Sequence, residues 1–66
     1  MTIILNGERK EIAANLTVRE LIESLGLGKA ACAAEVNKEL VPKRDHAERV
    51  LRENDRVELV TLVGGG

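Results

Sequence analysis

The residues with the clearest chemical potential are the three glycines at the carboxyl end, Gly64, Gly65 and Gly66. Glycine has no Cβ, so a glycine end adopts any backbone geometry and leaves its carbonyl carbon open to attack. The five residues from Leu62 onward extend about 16 Å, enough to enter a narrow channel in a partner. The alternatives are a frayed end and a cloning remnant, since terminal residues usually carry no function. We expect the Gly66 carboxylate to be the reacting group.

The side chains offer little other chemistry. Cys32 lies among four alanines, where a small buried hydrophobe is the expected role, and only Lys29 lies nearby to activate a thiolate. His46 is interpreted as a surface residue, because no nucleophile or second metal ligand accompanies it. Gly26-Leu27-Gly28-Lys29 lacks the spacing of a phosphate loop and ends a helix instead of beginning one. We therefore predict no enzyme active site and no metal or cofactor site.

Composition narrows the class of partner. The chain contains no Phe, Tyr or Trp, so it lacks aromatic platforms on which bases would stack. Ten Lys and Arg are interspersed with eleven Asp and Glu, which argues against a nucleic-acid or anionic-membrane surface. The chain has no apolar stretch of membrane-spanning length, only one cysteine and no leader-like segment. A cytoplasmic protein without membrane insertion is expected.

The first half of the chain predicts a hairpin followed by a helix. Thr2–Leu5 is apolar and runs into Asn6-Gly7, the dipeptide typical of a type I′ turn, so a returning strand is expected over residues 8–12. Thr17-Val18-Arg19-Glu20 fits a capping box at a helix start. The helix then presents an apolar stripe and ends at Gly26 in the left-handed position. The stripe consists of Val18, Leu21, Ile22 and Leu25.

The second half predicts a second hairpin, an irregular segment and a last strand. Cys32–Val36 and Glu39–Val41 are the paired strands, and Pro42 ends their pairing because it has no amide donor. Residues 44–51 are expected to form one or two irregular or helical turns, which the spacing of Ala47, Val50 and Leu51 suggests. Arg56–Thr61 alternates as a strand should.

These elements place the chain in the α+β class, with one main helix packed across one face of a small mixed sheet. Their order resembles the β-grasp of ubiquitin, with a hairpin before the helix and a lone last strand leading into Gly-Gly. We expect one domain over residues 1–61 and a flexible glycine-rich tail over residues 62–66.

Alternation along the strands also predicts a docking surface. Side chains of a strand alternate between the two faces of its sheet. Four residues are assigned to the helix-facing side of the sheet: Ile3, Leu5, Val57 and Leu59. Ile4 and Val60 then emerge on the far face, and Leu62 is expected beside them. Apolar side chains facing water close together suggest a surface for a partner.

The whole chain resembles the ThiS family, the bacterial sulfur carriers of thiamine biosynthesis. The resemblance rests on the order of several short motifs: Thr17-Val18 with Leu21, Ala33 to Asn37, Val41-Pro42, Asp55-Arg56-Val57-Glu58 and the ending Val63-Gly64-Gly65-Gly66. His46 stands where such carriers often have an aromatic residue. The small subunit of molybdopterin synthase is the related alternative, although it is usually longer.

The resemblance implies a mechanism that uses the end of the chain. A ThiF-like adenylyltransferase would convert the Gly66 carboxylate to an acyl adenylate, and a persulfide donor protein would turn it into a thiocarboxylate. A ThiG-like thiazole synthase would then take the sulfur for the thiazole ring. The chain itself would not be an enzyme. A ubiquitin-like modifier or passive interaction module that never carries sulfur, and a small enzyme, are the competing hypotheses from other classes.

Overall fold

The computed structural model describes residues 1–61, and they form a five-stranded mixed sheet with one α-helix across it. The strands are β1 (Thr2–Leu5), β2 (Glu8–Glu11), β3 (Cys32–Val36), β4 (Glu39–Val41) and β5 (Arg56–Thr61), and the helix α1 is Val18–Ser24. The strand order across the sheet is β2-β1-β5-β3-β4. The predicted β-grasp architecture is therefore confirmed.

Within residues 1–61, the first and last strands form the one parallel pair of the sheet, and both lie in its interior. Ile4 pairs with Arg56 and Leu5 with Val57, while the other three pairings are antiparallel. The Ile4 amide donates to the Asp55 carbonyl at 2.9 Å, and the Asn6 amide donates to the Val57 carbonyl at 2.9 Å. The hairpins β1–β2 and β3–β4 are thus joined through β5.

The core of residues 1–61 is wholly aliphatic and lies between α1 and the sheet. As predicted, Ile3 and Val57 are fully buried, and Leu5 and Leu59 pack against the core from the same face. The buried members come from the strands, the helix and the segment before β5: Ile3, Val18, Leu21, Ile22, Ala34, Val36, Val41, Leu51 and Val57. Burial of these side chains is the main favourable term that a domain of this size can develop.

Both two-residue hairpin turns have positive φ at each position. Asn6 and Gly7 have φ of 49° and 85°, and Asn37 and Lys38 have φ of 52° and 71°. The type I′ geometry that suits the twist of the adjoining strands requires such angles, and asparagine tolerates them better than other side chains do. The asparagines also contribute hydrogen bonds. Asn6 Oδ1 accepts from the Leu59 amide at 2.9 Å, and Asn37 Oδ1 accepts from the Arg56 amide at 3.0 Å.

The amino end of α1 has its amides satisfied by a capping box and by a crossing segment. Thr17 Oγ1 accepts from the Glu20 amide at 3.1 Å, and the Glu20 carboxylate accepts from the Thr17 amide at 2.9 Å. The Val18 amide donates to the Arg49 carbonyl at 2.9 Å. The next amide in the helix donates to a carbonyl of the same segment, that of residue 46. Every backbone amide of the first helical turn therefore has a hydrogen-bond acceptor within the domain.

The carboxyl end of α1 closes as the sequence predicts. Gly26 has φ of 77°, its amide donates to the Glu23 carbonyl at 3.0 Å, and the Leu27 amide donates to the Ile22 carbonyl at 3.1 Å. This pair of bonds is the Schellman motif, which glycine permits because it has no Cβ. Leu27 is half-buried against the core.

The segment before β5 forms irregular turns, as the sequence predicts. A 3-10 turn spans Lys43–Asp45, followed by further turns. Of the three apolar residues whose spacing suggested these turns, Leu51 is buried, whereas Ala47 and Val50 are exposed. The segment is held by backbone hydrogen bonds to α1, and it needs few apolar contacts of its own.

The division into a domain over residues 1–61 and a tail over residues 62–66 stays a prediction. Residues 1–61 contain all the elements above, whereas the tail predicted over residues 62–66 lies outside the described residues. Among the described residues, no helix combines the length and the apolar character needed to cross a bilayer.

We expect Leu21→Ala to lower the free energy of unfolding by about 2 to 5 kcal/mol, because Leu21 is fully buried and truncation leaves a cavity. A domain this small has little stability to lose, so the variant should be largely unfolded. Urea denaturation followed by circular dichroism measures the change. Leu40→Ala is the matched control, since Leu40 is 67% exposed and its truncation should change stability little. Equal midpoints for the two variants would contradict the position of Leu21 in the core.

Candidate functional site

The predicted reactive end, residues 64–66, follows β5 along the chain. Thr61 is the last described residue of β5, and it pairs with Cys32 at the start of β3. The predicted site residues Gly64, Gly65 and Gly66, and Leu62 of the predicted docking surface, lie outside the described residues. The described part of the chain therefore defines the strand that leads to Gly66 and the surfaces on either side of it.

The predicted strand parity holds along β5 and β1. Val57 is buried and Leu59 packs against the core, whereas Val60 is 57% exposed on the opposite face of the sheet. Ile4 is half-buried, and it alternates with the inward-facing Ile3 and Leu5. Ile4 and Val60 therefore both belong to the far face, which we define as the side of the sheet away from α1.

Ile4 and Val60 share the far face without being neighbours. Ile4 is level with Arg56, and Val60 lies four residues further along β5. At the usual strand rise, this offset corresponds to about 13 Å along the sheet. Glu58 lies between them on the same face, level with Glu35 of β3. Two apolar positions thus flank a pair of adjacent carboxylates, which gives the far face a mixed character.

One apolar far-face residue was missed by the sequence reasoning. Leu40 is 67% exposed and pairs with Glu35 across the β3–β4 hairpin. Ala33, which pairs with Val60, is the next far-face residue along β3. The signal was present in the sequence, because a two-residue turn at Asn37-Lys38 fixes the register and places Leu40 on the face of Val60. The apolar part of the far face is therefore broader than predicted.

His46 is buried, so its assignment to the surface was wrong. His46 is only 7% exposed, and its Nε2 lies 3.0 Å from the Val41 carbonyl oxygen. The His46 carbonyl in turn accepts the Arg19 amide of α1 at 2.9 Å. His46 therefore ties β4 to the amino end of α1, a structural role. The correspondence of this position to an aromatic residue in related carriers was the signal for burial.

Cys32 is half-buried, and it is less enclosed than the sequence predicted. It packs against the core from the same side as Ala34, and its Sγ contacts the Ala33 carbonyl at 3.8 Å. Desolvation raises the pKa of the Cys32 thiol above its ordinary value. A raised pKa lowers the thiolate fraction at neutral pH, which is the opposite of what a nucleophilic cysteine needs. Cys32 therefore has the character of a packing residue.

A metal centre is not formed by the described side chains. Among residues 1–61, no group of three or more His, Cys, Asp and Glu side chains is placed to hold an ion. His46 and Cys32, the two residues considered first, have the separate structural surroundings described above. What the described structure offers is a central strand, β5, that leads toward Gly66 and has a partly apolar face on one side.

The fold places the chain in the class of ubiquitin-like β-grasp proteins, since the helix crosses a mixed sheet whose first and last strands are parallel neighbours. The ThiS family model matches residues 3–66. The sulfur carrier protein ThiS of Escherichia coli is 32% identical over 66 residues, which cover all of this chain and all of that protein. The chain therefore belongs to the ThiS family.

Further relatives agree with this assignment. The crystal structure of the thiamine biosynthesis protein ThiS from Geobacter metallireducens superposes with a TM-score of 0.84 at 28% identity, and each chain is covered completely. A thiazole synthase from Paramagnetospirillum magneticum is 36% identical over 66 residues, and one from Magnetococcus marinus is 38% identical over 66 residues. All of this chain matches, but it spans only 20% of the length of each thiazole synthase.

We expect Cys32 to react with iodoacetamide more slowly than free cysteine at neutral pH, because its raised pKa leaves less thiolate. The reaction rate should rise with pH and continue to rise above pH 9.0, which is the ordinary pKa of a cysteine thiol. Mass spectrometry of the alkylated protein as a function of time and pH gives the rate. The urea-unfolded chain is the control and should react at the rate of free cysteine. Faster reaction in the folded protein would show an activated thiol.

Proposed function

We propose that the carboxylate of Gly66 is the group through which this ThiS-family chain carries sulfur for thiamine biosynthesis. The observation that carries the proposal is the extent of the family match, which runs from residue 3 through residue 66 and so includes the glycine end. The chain is a carrier and not a catalyst. Its side chains fit this role, because Cys32 and His46 are engaged in packing and hydrogen bonding.

The chemistry proceeds in steps that partners catalyse. A carboxylate oxygen of Gly66 attacks the α-phosphorus of ATP on a ThiF-like adenylyltransferase, and pyrophosphate leaves. The terminal sulfur of a protein persulfide then attacks the acyl carbon, and AMP leaves with the bonding electrons. A second thiol of the donor attacks the donor's own cysteine sulfur in the resulting acyl disulfide, and the S–S bond to the acyl-bound sulfur breaks. This step releases the Gly66 thiocarboxylate and leaves a disulfide on the donor.

Two features of the chain support this chemistry. Adenylation replaces a poor leaving group on the acyl carbon by a good one. The attacking sulfur must still reach that carbon, so the acyl group has to be unhindered. Gly66 has no Cβ to obstruct the attacking sulfur, and Gly64 and Gly65 impose no side chains on the channel of an enzyme. The rigid domain, in contrast, supplies the surface by which an enzyme recognises the carrier.

The recognition surface is the far face of the sheet. Ile4, Val60 and Leu62 are its proposed contacts, and the exposure of Leu40 extends the same surface toward β4. Apolar side chains exposed together favour a protein interface. Glu35 and Glu58 lie between the apolar positions and give the surface a charge pattern that an adenylyltransferase would have to match.

The acceptor of the sulfur is a ThiG-like thiazole synthase. The support is that two proteins named thiazole synthase contain a segment similar to this chain, within a polypeptide about five times as long. A carrier covalently joined to its acceptor has a high effective concentration at the acceptor's site. The need for ATP and for persulfides supports the proposed cytoplasmic location.

Incubation with the cognate adenylyltransferase, ATP and a persulfide donor should exchange one terminal oxygen of Gly66 for sulfur. Intact-mass spectrometry followed by fragmentation locates the sulfur. Removal of Gly66, or addition of one residue after it, should abolish the exchange without changing the circular dichroism spectrum, because the attacked carbonyl is lost or displaced. Cys32→Ala is the control and should be converted as well as the wild type. Sulfur found on Cys32, or conversion of an untrimmed extended chain, would contradict the proposal.

Val60→Asp should keep the fold and weaken binding to the adenylyltransferase, because a carboxylate replaces an exposed apolar contact. Isothermal titration calorimetry measures the affinity, and a loss of about tenfold corresponds to roughly 1.4 kcal/mol. Ala13→Asp adds the same charge at an exposed loop position and should bind normally. If Val60→Asp unfolded, or if its affinity for the adenylyltransferase were unchanged, the assignment of Val60 to the docking surface would be wrong.

A further inference from the structure

A basic groove lies on the side of the domain where α1 packs, away from the far face. It has a volume of about 700 Å³ and is formed by α1, by the loop before β3 and by the 3-10 turn with the residues after it. Four cationic side chains line it: Arg19, Lys29, Lys43 and Arg44. We call it the basic groove. The function proposed above uses neither these residues nor this surface.

The basic groove concentrates positive charge on a chain that is slightly acidic. It contains four of the ten Lys and Arg residues but only one of the eleven Asp and Glu residues, Glu23, while the formal net charge of the chain is -1. The other carboxylates therefore lie elsewhere on the molecule. A cleft lined by one sign of charge focuses the field and attracts groups of the opposite sign.

Most of this charge is not neutralised within the domain. Arg19 lies 3.4 Å from Glu23, in a pair that is exposed on both sides. Within residues 1–61, no carboxylate comes within ion-pairing distance of Lys29, Lys43 or Arg44. Exposed ion pairs contribute little and exchange partners readily, so Arg19 is also open to an external carboxylate. The cationic side chains of the groove thus repel one another, and a bound anion would reduce this repulsion.

The form of the groove favours an extended acidic segment over a compact phosphate. The four cations come from three separate elements, and Ile22 and Ala47 contribute apolar surface between them. Arg19, Lys29, Lys43 and Arg44 are all exposed, so no buried donor is built to hold a single anionic group. The backbone amides at the start of α1 are already used within the domain. Spread charges around an apolar floor match carboxylates that alternate with aliphatic side chains.

The groove lies next to the strand that leads to Gly66. Cys32 lines the groove and pairs with Thr61, the last described residue of β5. Val60, by contrast, faces the opposite side of the sheet. A protein segment in the groove would therefore contact the domain beside the start of the tail while leaving the far face free.

We propose that the basic groove docks an extended acidic segment of a protein that acts on Gly66. The proposal rests on the proposed function only in the identity of that protein, which is either the adenylyltransferase or the thiazole synthase. Contact at the groove holds the base of the tail from one side, and contact at the far face holds it from the other. The groove contributes mainly to the association rate, because its charges are exposed and act over several ångströms.

The test uses charge reversal with a matched control. Lys43→Glu with Arg44→Glu reverses two charges in the groove, and Lys38→Glu with Arg52→Glu makes the same change of net charge at exposed positions outside it. Affinities for the cognate adenylyltransferase and thiazole synthase are measured at ~0.05 M and ~0.5 M salt. We expect the groove variant to bind one of them about tenfold more weakly at low salt, with a smaller difference at high salt. The control variant should bind both enzymes normally.

A second measurement identifies the class of anion independently of Gly66 chemistry. The wild-type protein, labelled with ¹⁵N, is titrated with an oligoglutamate peptide, with inorganic pyrophosphate and with oligothymidylate of the same charge as the peptide. The peptide should shift the amide signals of the loop before β3 and of the 3-10 turn at lower concentrations than either phosphate compound. The groove variant should lose these shifts.

The outcomes separate the two proposals. Equal binding of the two double variants to both enzymes, or stronger binding of pyrophosphate or oligothymidylate than of the peptide, would overturn docking of an acidic segment. Failure of the wild type to form a thiocarboxylate would instead overturn the role of Gly66. The peptide titration would then still decide whether the groove accepts an acidic segment.

Discussion

The parallel pairing of β1 with β5 is the constraint on which the rest of the structure depends. It joins residues near the two ends of the described chain, and both hairpins attach to the sheet through it. The contact spans a large sequence separation, so its entropic cost is high and must be offset by burial around it. Ile3 and Val57, both fully buried, lie on these two strands. The pairing also fixes the direction in which β5 carries the chain toward Gly66.

The absence of aromatic residues makes backbone hydrogen bonding more important to this domain. A core of Leu, Ile, Val and Ala has small buried areas per residue, so few side chains can be lost without a large fraction of the stability. The segment between β4 and β5 has little secondary structure of its own, yet its carbonyls accept the first two amides of α1. Helix and irregular segment therefore stabilise each other, and His46 links both to β4.

Elements with local signals were predictable from the sequence. The capping box at Thr17, the left-handed Gly26 and the Asn6-Gly7 turn each depend on chemistry within a few residues, and all are present as predicted. Strand alternation similarly placed Val60 on the far face. The unhindered glycine end suggested Gly66 as the reacting group, and the resemblance to a family supplied the chemistry proposed for it.

The features that sequence reasoning missed depend on contacts between distant parts of the chain. His46 is buried because residues far apart in sequence, Val41 and Arg19, meet at its two sides. Val50 is exposed because backbone pairing with Thr17, not apolar packing, holds its segment. The basic groove brings together cationic side chains from three elements, although positive and negative residues are interspersed along the sequence. Charge balance counted along a sequence does not reveal how charge is distributed in space.

The central position of β5 has a mechanical consequence for a carrier that is held by its end. A partner that grips the residues after Thr61 and pulls would load β5 along its own axis, between β1 on one side and β3 on the other. The hydrogen bonds to both neighbouring strands are then loaded together in shear. At a sheet edge, in contrast, such bonds can break one after another. Tension applied after Thr61 would thus be shared by both neighbouring strands, and the folded domain would resist it as one unit.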